Sequence, residues 1–258
     1  LLFSLLLAAL LAPGCSGDDD DSSTGDDDTT VDDDDSASDD DEPFVPQLIS
    51  GGCGADEYTW APMERMGEIV EWDEPDGYAF TAEAIQLLLT NNGIETFEPQ
   101  YDVRVFLVRY ITQDRGAEVE TTAWMSFPVI EEEAEVPTIA WLHGTTGFTD
   151  ECAPTAMGLE GAVGNLLLSS LGFAVASPDY LGMNGWGEPA GFLHPYVVAE
   201  PTAVASLDSL RAMQRFHAEA EDDVVAVPSL RTVLWGGSEG GFAAFWADRY
   251  APGYAPEF

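Results

Sequence analysis

The residues best suited to chemistry are Gly236-Gly237-Ser238-Glu239-Gly240-Gly241. They follow an apolar, β-type run, Arg231 to Trp235 (RTVLW), and precede a small-residue helical run, FAAFWADRY. This is the G-x-S-x-G pattern between a strand and a helix, the setting in which a serine is lifted clear of a sheet on a strained turn as a nucleophile. Glycines on either side permit that turn and let neighbouring backbones approach closely. A helix amino terminus directly behind the serine favours negative charge developing on a substrate carbonyl oxygen. The competing reading, a phosphate-binding loop, has no lysine here and lacks the wider glycine spacing. A second element fits the first. The apolar run Val136 to Leu142 ends in His143-Gly144-Thr145-Thr146-Gly147, and a loop in that position supplies one backbone N–H to an oxyanion, the other coming from the residue after the nucleophile. Thr145 and Glu239 are the expected donors.

The elements that must position these residues can be read from periodicity. Val103 to Ile111 and Val119 to Val129 are β-type runs flanking a short polar turn with Asp114 and Gly116, as in an antiparallel hairpin. Val136 to Leu142 is nearly continuous in apolar residues, as expected of a strand covered on both faces. Beyond it come a helix over Gly161 to Leu171, a strand over Phe173 to Ser177, a long amphipathic helix over Ala199 to Glu219, and the strand before Ser238. That alternation predicts βαβ crossovers and an α/β fold, entered through the antiparallel hairpin. A further helix is expected near Tyr78 to Thr90, stopped by Asn91, Asn92 and Gly93.

Taken in order, His143 to Gly147 with Cys152-Ala153-Pro154 just beyond, Ser177 to Gly182 (SPDYLG), His194-Pro195-Tyr196, Asp208 to Ala212 (DSLRA) and GGSEGG resemble the secreted lipase and esterase branch of the α/β-hydrolases. The resemblance covers roughly residues 100 to 250. It implies an α/β-hydrolase fold, a mainly parallel sheet with helices on both faces. It also implies carboxylic ester hydrolysis by Ser238, with a small-molecule or lipid ester as substrate and no cofactor; a metal site is not expected, because neither Cys53 nor Cys152 has a second Cys or His at ligand spacing. Glu239 stands where many members of that branch carry Gln or His. Their triad partners follow the nucleophile in the order Asp/Glu then His, yet 20 residues follow Ser238 and none is His. His143 reads as a loop-orienting residue, His217 as a surface or packing residue, and His194 as a loop residue or a pocket-mouth residue. Asp179 belongs to the PDYLG turn and is not assigned to the triad. The remaining triad members are therefore expected beyond Phe258. The 258-residue chain by itself is expected to be unstable and inactive, with an apolar sheet edge at the elbow strand.

Charge excludes other classes. The 258 residues carry 48 Asp and Glu against 8 Lys and Arg, a net charge of −40, and there is no lysine at all. Nucleic acid and polybasic membrane contacts, which need clustered Lys and Arg, are not expected. Carboxylates in such excess keep a surface soluble in high salt. Residues 16–42 contain fourteen Asp and Glu42 with no basic residue. Such a segment cannot bury apolar area to offset its ordering entropy, so 16–46 is read as an extended linker. Calcium binding by its Asp runs is the alternative, although an EF-hand-type spacing is absent.

Before the linker, residues 1–15 (LLFSLLLAALLAPGC) have the length of a signal-peptide core, too short to span a bilayer. Ala12 and Gly14 ahead of Cys15 resemble a bacterial lipoprotein signal, making Cys15 the lipidated residue and the cell envelope the expected location. Cys53 and Cys152 then remain as a pair expected to form a disulfide in an oxidising compartment. The partial hydrolase domain is read as 47–258. Two other functions remain open from the sequence. One is a non-catalytic, hydrolase-like or cation-binding surface lipoprotein; the other is a peptidase or acyltransferase on the same scaffold.

Overall fold

The computed structural model describes residues 60–91, 93–220 and 224–258. The expected signal segment, the linker, Cys15 and Cys53 lie outside the described residues. Seven strands form one mixed sheet: β1 (Ile69–Asp73), β2 (Ala79–Phe80), β3 (Val103–Asp114), β4 (Ala117–Pro128), β5 (Ala134–Leu142), β6 (Ala174–Pro178) and β7 (Ala226–Gly236). Their order is β1-β3-β4-β6-β5-β7, with β2 also pairing to β3. Strands β6, β5 and β7 run parallel, while β1, β3 and β4 join by antiparallel pairing.

The β3–β4 hairpin closes through Arg115 (φ 48°) and Gly116 (φ 81°), between the paired residues Asp114 and Ala117. Two successive positive φ values give the turn whose twist matches that of the strands it joins. The parallel strands are joined by helices, as a parallel pairing requires. Helix α1 is Ala82–Asn91, α2 Leu159–Ser170, α3 Ala199–Glu219 and α4 Glu239–Tyr254.

Both faces are covered along the buried stretches of β3, β4, β5 and β6, which explains their unbroken apolar runs, whereas Leu230 and Val233 of the edge strand β7 are exposed. Val103, Val105 and Leu107 of β3 pack with Trp124 of β4 against Ile85 and Leu89 of α1 and Ala162, Leu166 and Leu167 of α2. The alternate residues Phe106, Val108 and Tyr110 face the other way, onto Ala212, Met213 and Phe216 of α3. Phe216 is fully buried between Phe106 (ring centroids 4.8 Å), Trp72 (5.3 Å) and Phe127 (5.8 Å). Burying a side chain of that size contributes about 2–3 kcal/mol. Helix α4 shares this face with α3, through Ala243, Ala247 and Tyr254 against Val204, Leu207 and Leu210.

Two boundaries and one strand differ from the sequence expectation, each for a local reason. Helix α1 begins at Ala82 because Thr81 caps it, its Oγ1 accepting from Ala84 N at 3.2 Å. The two residues before Thr81 pair with β3 instead. Strand β7 is longer than Arg231 to Trp235: it starts at Ala226 and is interrupted by a bulge where Val136 pairs Pro228 and Thr138 pairs Thr232. Pro228 and Ser229 hid its first half, and Thr138 Oγ1 donates to Ser229 O across the irregularity at 2.8 Å. Strand β1 was not foreseen. It is mostly exposed and is held by pairing to β3 and by an ion pair of Glu71 with Arg109 at 3.0 Å.

Behind the site, Asp208 of α3 ties three elements together. Its carboxylate accepts from Thr112 Oγ1 (2.7 Å), Tyr254 OH (2.8 Å) and Arg211 Nη1 (2.8 Å). Burial pushes its pKa up to about 6 despite these partners.

Candidate active site

The turn between β7 and α4 carries Ser238 at φ 56° and ψ −122°, a conformation that side-chain-bearing residues rarely adopt. What holds it there is close packing of the flanking glycines. A Cβ on Gly236 would sit 2.5 Å from Gly240 C and 2.6 Å from Leu142 O; one on Gly240 would sit 1.9 Å from Leu142 O. The turn is thus pressed against the end of β5. Ser238 is exposed on top of it, and α4 points its amino terminus there, beginning at Glu239.

The loop leaving β5 borders the serine. A Cβ on Gly144 would lie 3.7 Å from Ser238 Cβ and 3.5 Å from Gly237 O. The next residue, Thr145, is exposed, and its Oγ1 lies 3.1 Å from Tyr196 OH. Ser238, Glu239 and the 143–147 loop are therefore gathered at the carboxyl end of the parallel strands, where ligands bind in open α/β sheets.

His143 stacks on Tyr180 (4.3 Å between centroids). Its Nδ1 lies 2.7 Å from Gly144 O and its Nε2 3.3 Å from Asp179 O. Burial lowers its pKa, so the ring is neutral near pH 7 and its single N–H donates to one of these carbonyls. Tyr180 OH donates back to His143 O at 3.0 Å. His143 thus orients the loop, as its position in the motif predicted.

His194 is buried within the structure. Its Nδ1–H donates to Leu181 O (2.8 Å) and its Nε2 faces Glu239 Oε1 at 2.7 Å, with one proton between them. Gly182 permits this approach, since a Cβ there would come within 2.5 Å of His194 N. The sequence offered His194 only as a loop or pocket-mouth residue. Its pairing with the residue after the nucleophile spans 45 positions and had no local signal beyond the HPY and GGSEGG motifs themselves. His217 lies in the last turn of α3, between Phe216 and Ala220, whose cluster includes Val136 and Ala226 at the starting ends of β5 and β7, the end of the strands opposite Ser238. Among the described residues, no histidine hydrogen-bonds Ser238. Cys152 is buried in a short helical turn, Asp150–Cys152.

Asp179, at the end of β6, accepts from Thr122 Oγ1 (2.5 Å), Thr155 N (3.0 Å) and the Thr155 hydroxyl. It is a structural carboxyl below the site, and burial pushes its pKa up to about 7. An unfolded Asp titrates near 4. From pH 4 to about 6 for Asp208 and to about 7 for Asp179, the native protein therefore keeps a proton that the unfolded chain has released, and stability falls as pH rises through those windows. The loss is on the order of 3–4 kcal/mol for each group. The urea midpoint should be highest near pH 4–5 and drop by pH 8, and Asp179→Asn should flatten that slope. A midpoint independent of pH over 4–8 would contradict the assignment.

The strand-turn-helix serine, the adjoining loop and the mixed sheet flanked by helices define the α/β-hydrolase fold. Residues 155–258 match the model of the secretory lipase family. Among solved structures, the rice cell wall degrading esterase LipA from Xanthomonas oryzae is 22% identical with a TM-score of 0.62, the match covering 75% of this chain and 48% of LipA. A protein of Legionella pneumophila taken to be a hydrolase is 26% identical with a TM-score of 0.61, covering 72% of this chain and 48% of that one. The chain thus spans about half the length of these relatives. A search of curated proteins gave no match.

Proposed function

We propose that the whole protein is a carboxylic ester hydrolase with Ser238 as its nucleophile. The observation that carries the reading is Ser238 at φ 56° on the β7–α4 turn, beside the loop after β5, where a Cβ on Gly144 would come within 3.7 Å of Ser238 Cβ. The secretory lipase match over 155–258 supports the same class. In this mechanism Ser238 Oγ bonds to the ester carbonyl carbon as a histidine base takes its proton. The carbonyl oxygen becomes an oxyanion held by the backbone N–H groups of Thr145 and Glu239. Collapse expels the alcohol, which receives the proton, and water then releases the acid from the acyl-serine. None of the three histidines of this chain is proposed as that base, since His143 and His194 are held by other partners and His217 lies toward the opposite end of the strands.

The reading extends to an exported protein anchored through lipidated Cys15, with residues 16–46 as tether, residues 47–258 as the hydrolase portion and Cys53 bonded to Cys152. The test is fluorophosphonate labelling of the native protein followed by peptide mapping. The expected result is a single adduct on Ser238, blocked by short- or long-chain esters. Native protein that stays unlabelled while folded would refute the hydrolase and favour a non-catalytic surface lipoprotein.

A further inference from the structure

Two residues of one short segment reach both sides of the site. His194 contacts the Glu239 carboxyl at 2.7 Å, at the first residue of α4, and Tyr196 OH lies 3.1 Å from Thr145 Oγ1 in the loop after β5. The side chains of His194 and Glu239 are 0% and 1% exposed, so this pair is shielded from competing water. The segment is itself fixed from several directions. His194 N donates to Phe148 O at 3.0 Å and Tyr196 N to His194 O at 2.8 Å. Phe148 packs edge-on against Tyr196 at 5.3 Å, and Tyr180 stacks between His143 and His194 at 4.3 and 5.8 Å. Immediately after it, Val197 is held at φ 57°. A β-branched residue in that region is strained, and such strain persists only where the surroundings over-determine it.

We propose that His194-Pro195-Tyr196 is a brace that sets the spacing between the two oxyanion donors, with His194 and Tyr196 as positioning residues. This rests on the assignment of Thr145 and Glu239 to the oxyanion hole. Donors stabilise a developing oxyanion only when already held about 3 Å from where it forms. Thr145 is exposed, two residues beyond His143, whose contacts orient the start of the loop. The brace couples that loop to the helix terminus, so that the two N–H groups move as a unit. Its carboxyl partner needs only one hydrogen bond toward His194 Nε2, which an amide N–H can also supply.

The experiment pairs amide hydrogen exchange with steady-state kinetics on the whole protein. Tyr196→Phe removes one hydroxyl from a side chain 42% exposed and should leave the fold intact. Faster exchange over residues 144–147 is expected, with kcat reduced about tenfold and KM within twofold, since only transition-state contacts loosen. Glu239→Leu should speed exchange at the start of α4, whereas Glu239→Gln should keep it protected. His194→Ala empties a fully buried position and is expected to destabilise the fold, so Tyr196→Phe decides. Unchanged exchange over 144–147 overturns the brace, and so does a raised KM with unchanged kcat, which would make Tyr196 a substrate contact. Failure of the wild type to label at Ser238 would instead refute the hydrolase reading, and the exchange result would still decide whether the brace exists.

Discussion

Ester turnover by the whole protein should fall by a factor on the order of 10⁴ or more in Ser238→Ala, with labelling by fluorophosphonates abolished. Loss of the nucleophile removes the covalent route and leaves only the contribution of the oxyanion donors and substrate binding. The more informative companion is Ser238→Gly. The serine occupies φ 56°, ψ −122°, a region that costs a residue with a Cβ about 1–3 kcal/mol and glycine much less. Ser238→Gly should therefore be equally inactive yet more stable, with a urea midpoint above that of the wild type. Ser238→Ala, which keeps the Cβ, should show no such gain. If both variants are inactive and only the glycine is stabilised, the strained turn is maintained for the reaction. If Ser238→Ala retains turnover above one part in a hundred, the nucleophile is another residue.

Much of this arrangement was legible because single residues carried it. The elbow needs a strand, small residues at fixed offsets and a helix, all within about 20 positions, and each leaves a local pattern. Strands β3, β4 and β5 were equally legible, since burial on both faces writes continuous apolar runs such as Val103 to Ile111. What the sequence did not reveal was set by tertiary pairing. Strand β1 is short, largely exposed and charged, so neither alternation nor apolar continuity marks it. Its pairing with β3 places a strand outside the hairpin. Pro228 and Ser229 interrupt β7 where a bulge absorbs extra residues, and a window reading stops there. The contacts of His194 with Glu239 and of Tyr196 with Thr145 join residues 45 and 51 positions apart. A single histidine or tyrosine in a loop has no periodicity to reveal such a partner. Asp179 and Asp208 stood inside recognisable motifs, but their proton affinity depends on burial and on hydroxyls from other elements.

The close approach of the elbow to β5 gives the second large effect. A Cβ on Gly240 would lie 1.9 Å from Leu142 O, 2.7 Å from Leu142 C and 2.8 Å from His143 O. All three are backbone atoms, so no rotamer change relieves the clash. Either α4 moves outward or the end of β5 does, and the latter carries the 143–147 loop with it. Gly240→Ala is expected to lower stability by about 3 kcal/mol and to cut the rate of Ser238 labelling by a factor on the order of 10² or more, because catalysis tolerates little misplacement of nucleophile and donors. Gly241→Ala is the matched control. Its Cβ would meet only Gly236 O at an ordinary 3.6 Å, and an alanine there gains about 0.5–1 kcal/mol of helix propensity. Neighbouring glycines of one motif should thus respond with opposite signs in urea unfolding. The difference arises from the helix geometry, which turns position 240 toward the end of β5 and position 241 away from it. Should Gly240→Ala unfold at the wild-type midpoint and label at the wild-type rate, the turn would not be pressed against β5 as described, and the strain at Ser238 would need another source.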